Sequence, residues 1–72
     1  MKITAVFEPS PEGGYSCFIE EFPAAISQGE TLEEAKANLL DALRLVIEAQ
    51  RQLAEETLAP GALRESIELA EA

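Results

Sequence analysis

The chain has 72 residues, with 5 Lys+Arg against 14 Asp+Glu, a formal net charge of -9 and no histidine. That length allows one domain and one small core, in which only about 60% of the unfolded surface becomes buried. The acidic balance argues against nucleic-acid binding, which needs a basic footprint to neutralise phosphates. The five cations, Lys2, Lys36, Arg44, Arg51 and Arg64, are scattered along the chain. An acidic surface suits a basic protein partner or simple solubility.

A single cysteine cannot form an internal disulfide, and without histidine a structural zinc site is not expected. A domain this small then gains stability most readily by self-association, so a homo-oligomer (dimer or tetramer) is expected. No apolar run approaches the ~18 residues of a membrane span, and the first seven residues alternate too strongly for a signal peptide. A cytoplasmic location follows as the expectation, with a free thiol at Cys17 suited to a reducing compartment.

Residues 2–8 alternate, with Ile3, Ala5 and Phe7 on one face and Lys2, Thr4, Val6 and Glu8 on the other, which predicts a strand. Pro9-Ser10-Pro11-Glu12-Gly13-Gly14 is a turn cluster. Residues 15–20 form a second strand, with Tyr15, Cys17 and Ile19 on one face and Phe18 on the other. Pro23 is expected to end it, since proline donates no ladder hydrogen bond. Residues 25–28 can form a short third strand, broken by Gly29.

Thr31 then reads as a helix N-cap with Glu34 three residues on, the spacing of a capping box. Glu30, Glu33 and Glu34 complement the positive end of the helix dipole. Leu32, Ala35, Leu39, Leu43, Val46, Gln50 and Leu53 fall along one line of the helical wheel, widened by Leu40, Ala42 and Ile47. Asp41–Arg44, Arg44–Glu48, Glu48–Arg51 and Arg51–Glu55 can pair on the polar face. Leu45 lies off the stripe. The helix should end before Pro60-Gly61, and the tail 62–72 reads equally as an alternating strand or a short helix. The compact solution is α+β: an antiparallel sheet of three or four strands with one long helix across one face.

Three pieces in this order carry a family resemblance: Gly14-Tyr15-Ser16-Cys17-Phe18, then Glu21-Phe22-Pro23, then Gln28-Gly29-Glu30-Thr31-Leu32-Glu33-Glu34-Ala35. Together they resemble the HicB-like antitoxin domain, over about residues 2–55. The resemblance implies a β-β-β-α-β, pared-down ribonuclease-H-like fold, which makes the tail a fourth strand. It implies self-association, and binding to a small basic RNA-cleaving toxin of the HicA type. Many members carry a further C-terminal DNA-binding module, for which 72 residues leave no room. The corner Pro23-Ala24 departs from the family's frequent Pro-Gly.

No catalytic role is expected. Active ribonuclease-H-like sites need clustered carboxylates around divalent ions, and the first strand interior, Ile3 to Phe7, holds no acid. Glu8 and Glu20 could approach each other across the hairpin, but solvated edge charges account for them better. Cys17 has no histidine partner and reads as a small buried hydrophobe. No cofactor is indicated.

The residues expected to contact a partner are Phe18, on the sheet face away from the helix, with Glu20, Glu21, Glu30 and Glu33 as contact acids. The competing reading is a homo-oligomer of the same family without a toxin, having a structural or small-molecule-binding role, with Tyr15 and Cys17 lining a pocket between subunits.

Overall fold

A computed structural model describes residues 2–69. The chain forms β1 (Ala5–Pro9), β2 (Tyr15–Ile19), β3 (Phe22–Gly29) and then α1 (Leu32–Glu56). The three strands make one antiparallel sheet in the order β1-β2-β3. β2 is central because each of its neighbours follows it or precedes it through a tight turn. At the β1–β2 turn, Ser10 and Gly14 exchange backbone contact (Ser10 N–H to Gly14 C=O, 3.0 Å), and Gly13 and Gly14 both take positive φ. Gly14 is required there for a second reason: a Cβ on it would stand 2.7 Å from the Gly29 carbonyl oxygen.

The register explains which side chains are inside. Cys17 and Ile19 point to α1 and are buried, so their neighbour Phe18 points away. Cross-strand partners share a face. Val6 and Ile26 pair with Phe18 and therefore lie outside with it. The core on the helix side consists of Cys17, Ile19, Ala25, Ala35, Leu39 and Leu43, with Phe7, Tyr15, Phe22 and Val46 packed around it. Ala25 and Ala35 are small because helix and sheet approach closely. Gly29 marks the tightest point, since a Cβ there would sit 2.7 Å from the Ala35 Cα.

The helix starts as the sequence indicates: the Thr31 hydroxyl accepts from the Glu34 N–H at 3.1 Å. Asn38 then ties the first turns to the sheet by donating to the Gln28 carbonyl at 2.9 Å.

Several expectations need correction. β1 begins at Ala5 rather than Lys2, and it reaches Pro9, which an edge strand tolerates. Pro23 does not end β2. It lies inside β3, which runs from Phe22 rather than Ala25. The register passes from Ile19↔Phe22 to Phe18↔Ile26, so Pro23 has no partner on β2, and β3 is an edge strand, so its missing N–H costs no ladder bond. A register irregularity beside Phe18 and Ile19 absorbs the tight Glu20-Glu21 turn.

The helical stripe is only partly a core stripe. Ala35, Leu39 and Leu43 are buried, but Leu32, Leu40 and Leu53 are exposed, and every described residue from Ile47 onward is exposed. The reason is length. A helix of 25 residues spans about 37 Å, whereas strands of five to eight residues span about 16–26 Å. Of the four ion pairs expected along the helix, only Asp41–Arg44 closes among the described residues, at 3.0 Å.

Nor is there a fourth strand among the described residues. The chain turns at Gly61, in positive φ, and the segment 62–69 has neither strand nor helix pairing. Arg64 reaches back to Glu55 at 3.2 Å, so the segment returns beside the end of α1 rather than joining the sheet edge. The remainder of the tail, residues 70–72, lies outside the described residues.

Candidate functional site

The outer face of the sheet is built in rows, because cross-strand partners share a face. Val6, Phe18 and Ile26 form an apolar row across all three strands. Next to it, Glu8, Ser16 and Gln28 form a polar row. Beyond the other end of the apolar row, the Glu20 N–H donates to the Thr4 carbonyl at 2.9 Å, which continues the ladder and sets Glu20 on the same face by alternation. The apolar row is thus bracketed by two carboxylates. Glu8, Ser16, Phe18, Pro23, Ile26 and Gln28 line a shallow groove of about 440 Å³ on this face. Nothing of α1 covers it, and Ile26 is 65% exposed.

A second depression, of about 430 Å³, lies at the Tyr15–Gly29 end of the sheet and shares Gln28 with the groove; Glu12, Glu30 and Glu34 line it with Tyr15 and Asn38. Its lining is mostly polar, and its charged side chains are all acidic.

The expected contact residues therefore do not form one cluster. Phe18 occupies the centre of the outer face. Glu20 and Glu21 lie at the β2–β3 turn, beside the Ile19–Phe22 end of the sheet. Glu30 and Glu33 lie at the other end, after Gly29, which pairs with Tyr15. Glu33 is in the first turn of α1, where it also complements the helix dipole.

Glu21 has a structural task. Its carboxylate accepts a hydrogen bond from the Thr4 backbone N–H at 2.7 Å, and this bond lowers its pKa below the ordinary glutamate value. It caps the start of β1.

Glu8, Glu20 and Cys17 lie where their preferred readings put them, the two carboxylates exposed and the thiol buried. Glu8 and Glu20 do not meet across the hairpin. The register sets Glu8 against Ser16 and Glu20 against Thr4, four residues apart along the same strand line. Among the described residues no group of three or more His, Cys, Asp or Glu side chains is placed to hold a metal ion. The Cys17 thiol is under α1, where it donates to the Ala35 carbonyl at 3.5 Å. Burial pushes its pKa up, and a hydrogen bond from the Ser27 backbone offsets this only in part. Tyr15 packs on the edge of the core and opens toward the acidic depression.

The residues missed by sequence reasoning are Ile26 and Pro23, which line the groove with Phe18. Val6 and Phe18 carried a signal through strand alternation. Ile26 did not, because the register irregularity in β3 hides its face. No helix among the described residues is long and apolar enough to cross a membrane.

Comparison with known proteins gives relatives of two kinds. The chain is 36% identical over 66 residues to the UPF0150 protein ssl0738 of Synechocystis sp., covering 92% of both. It is 38% identical over 61 residues, 85% of its length, to Antitoxin HicB 1 of Photorhabdus laumondii, of which it spans 39%. It is 42% identical over 43 residues, 60% of its length, to Antitoxin HicB of Escherichia coli, of which it spans 31%. No family model matches, and no solved structure matches.

Proposed function

Since the chain belongs to the UPF0150 family of HicB-like antitoxin domains, we propose that it is a protein-interaction domain that binds and masks a small, basic, RNA-cleaving toxin of the HicA type. The observation that carries this reading is the similarity to a HicB antitoxin along 85% of the chain. The outer sheet face supplies matching chemistry. Phe18, with Val6 and Ile26, is an apolar anchor of the kind that dominates binding energy at interface centres. Glu8 and Glu20 flank it and give the rim a charge that attracts a basic protein.

The rest of the sheet half is acidic too. Residues 2–40 carry seven glutamates and two lysines, a net charge of -5. Such a field speeds encounter with a cationic partner and weakens as salt rises. Masking is then occlusion: the domain covers the toxin's basic RNA-binding surface and takes no part in chemistry.

The test is capture from native lysate at low salt with tagged protein, followed by elution in raised salt and mass identification. A small basic protein whose RNA cleavage stops on adding the domain is the expected result. Phe18→Glu should abolish that capture while leaving the fold intact, because Phe18 is outside the core. The second reading is a homo-oligomer of the same family acting without a toxin. Recovery of the chain with copies of itself alone would decide for that reading.

A further inference from the structure

The sheet has two open edges, and they are not alike. The Glu20 N–H donates to the Thr4 carbonyl at 2.9 Å, and the Ser10 N–H to the Gly14 carbonyl at 3.0 Å. Backbone groups alternate sides along a strand. On β1, therefore, Val6 and Glu8 turn their N–H and C=O toward β2, while Ala5 and Phe7 turn theirs outward. On β2, Cys17 and Tyr15 then face β3. Their partners Ser27 and Gly29 face back, and Ile26 and Gln28 turn outward.

The β3 edge is guarded. The Asn38 amide takes the Gln28 carbonyl at 2.9 Å, Pro23 offers no donor, and α1 lies close over Gly29. The β1 edge has no such cover. Among the described residues no side chain or other segment bonds to the backbone of Ala5 or Phe7, and Ala5 is exposed. Two donors and two acceptors stand in a row there, the arrangement that pairs with an added strand.

We propose that the β1 edge pairs with an extended strand of a cationic protein partner, with Ala5 and Phe7 making the ladder bonds. Charge and register give the chemistry of that strand. β1 and the turn beside its start carry Glu8, Glu20 and Glu21 against Lys2, a net charge of -2. Cross-strand neighbours share a face, so an added strand continues the outer rows. One of its residues lies beside Val6 and lengthens the apolar row that runs through Phe18. The residues two positions to either side lie next to Glu8 and next to the Thr4–Glu20 pair. The matching strand has an apolar residue at its centre and Lys or Arg two positions away on each side. Its inward residues, beside Ala5 and Phe7, are apolar. An acidic strand is turned away by the same carboxylates. That the partner is a toxin rests on the function proposed above; the open edge and its charge do not.

Amide hydrogen exchange of the full chain, read by NMR, tests it. Alone, Ala5 and Phe7 should exchange fast while Val6 and Glu8 are protected. With the captured basic protein bound, Ala5 and Phe7 should slow about tenfold or more. Ala5→Pro removes an outward donor and leaves the β1–β2 ladder intact, so it should weaken capture about tenfold or more. Free exchange at Ala5 and Phe7 in the complex overturns the edge contact, as does an Ala5→Pro chain that binds like the wild type. If Phe18→Glu still abolishes capture in that case, the function proposed above stands without the edge. If no basic protein is captured, that function fails, and a synthetic blocked peptide with the basic–apolar–basic spacing becomes the probe. Slowed exchange of the same two amides with this peptide, and not with its acidic counterpart, upholds the edge; any other pattern overturns it. Protection in the chain alone that fades on dilution means that a second copy takes the edge, and this also overturns the proposal. Where Ala5→Pro fails to fold, the exchange of the wild type decides by itself.

Discussion

The two halves of α1 share one sequence pattern and have different fates. From Ala35 to Val46 the apolar line rests on β2 and β3, and three of its members are buried. From Ile47 to Glu56 the same line continues over no sheet, and every residue is exposed. Periodicity therefore reports which face of a helix is meant to be covered, not what covers it. A large-to-small change in the core half removes packing contacts within one chain. The same change in the overhanging half should matter only where another molecule is present, and that difference can be measured.

The largest effect is expected at Gly29. A side chain there meets the Ala35 backbone, with a Cβ only 2.7 Å from its Cα, and neither the strand nor the helix backbone can yield cheaply. Gly29→Ala should separate helix from sheet and cost several kcal/mol, on the order of the worst overpacking changes, about 3 kcal/mol or more. Urea denaturation read by circular dichroism would show it. A loss below about 1 kcal/mol would mean that the helix rides higher on the sheet than this close approach requires.

Leu39→Ala and Leu53→Ala set the two halves directly against each other. Leu39 is 1% exposed, and its truncation should cost about 2–5 kcal/mol at any protein concentration. Leu53→Ala should cost less than about 0.5 kcal/mol in dilute protein. A larger loss should appear only where another molecule covers it. Equal losses would remove the distinction between the two halves.

At the start of the helix, Thr31→Ala removes the hydroxyl that accepts the Glu34 N–H, and about 1 kcal/mol should be lost. Thr31→Asp should restore most of it. Failure of the aspartate to rescue would show that this first turn is held by Asn38 and its bond to the Gln28 carbonyl instead.

These sites also show what was legible beforehand. Thr31 and Glu34 could be read because capping is local and has a fixed spacing. Cys17 and Ile19 could be assigned to the core because a short strand has only two faces. Pro23 was misread because its tolerance depends on β3 being an edge, and strand order is a tertiary fact. The limit of the core along α1 was hidden for the same kind of reason, since it is set by the length of the sheet. The partner face was half legible: alternation pointed to Phe18, while Ile26 joined it only through a register shift.

Glu21 gives the smallest and most discriminating prediction. Sequence reading put it among the contact acids, whereas its carboxylate holds the Thr4 N–H at 2.7 Å. Its pKa is lower in the folded chain than in the unfolded one, chiefly through that bond. The contribution is therefore present above the unfolded glutamate value, about 4.3, and is lost as pH falls through the lower folded value. Because the group is exposed, the effect on stability should be slight. A difference titration of wild type against Glu21→Gln should show extra stability in the wild type above about pH 4.3 that shrinks below it. If Glu21 were instead a free contact acid, the two proteins would have parallel stability across that range, and the substitution would act only on partner binding. The two roles separate because one reads out in the isolated chain and the other does not.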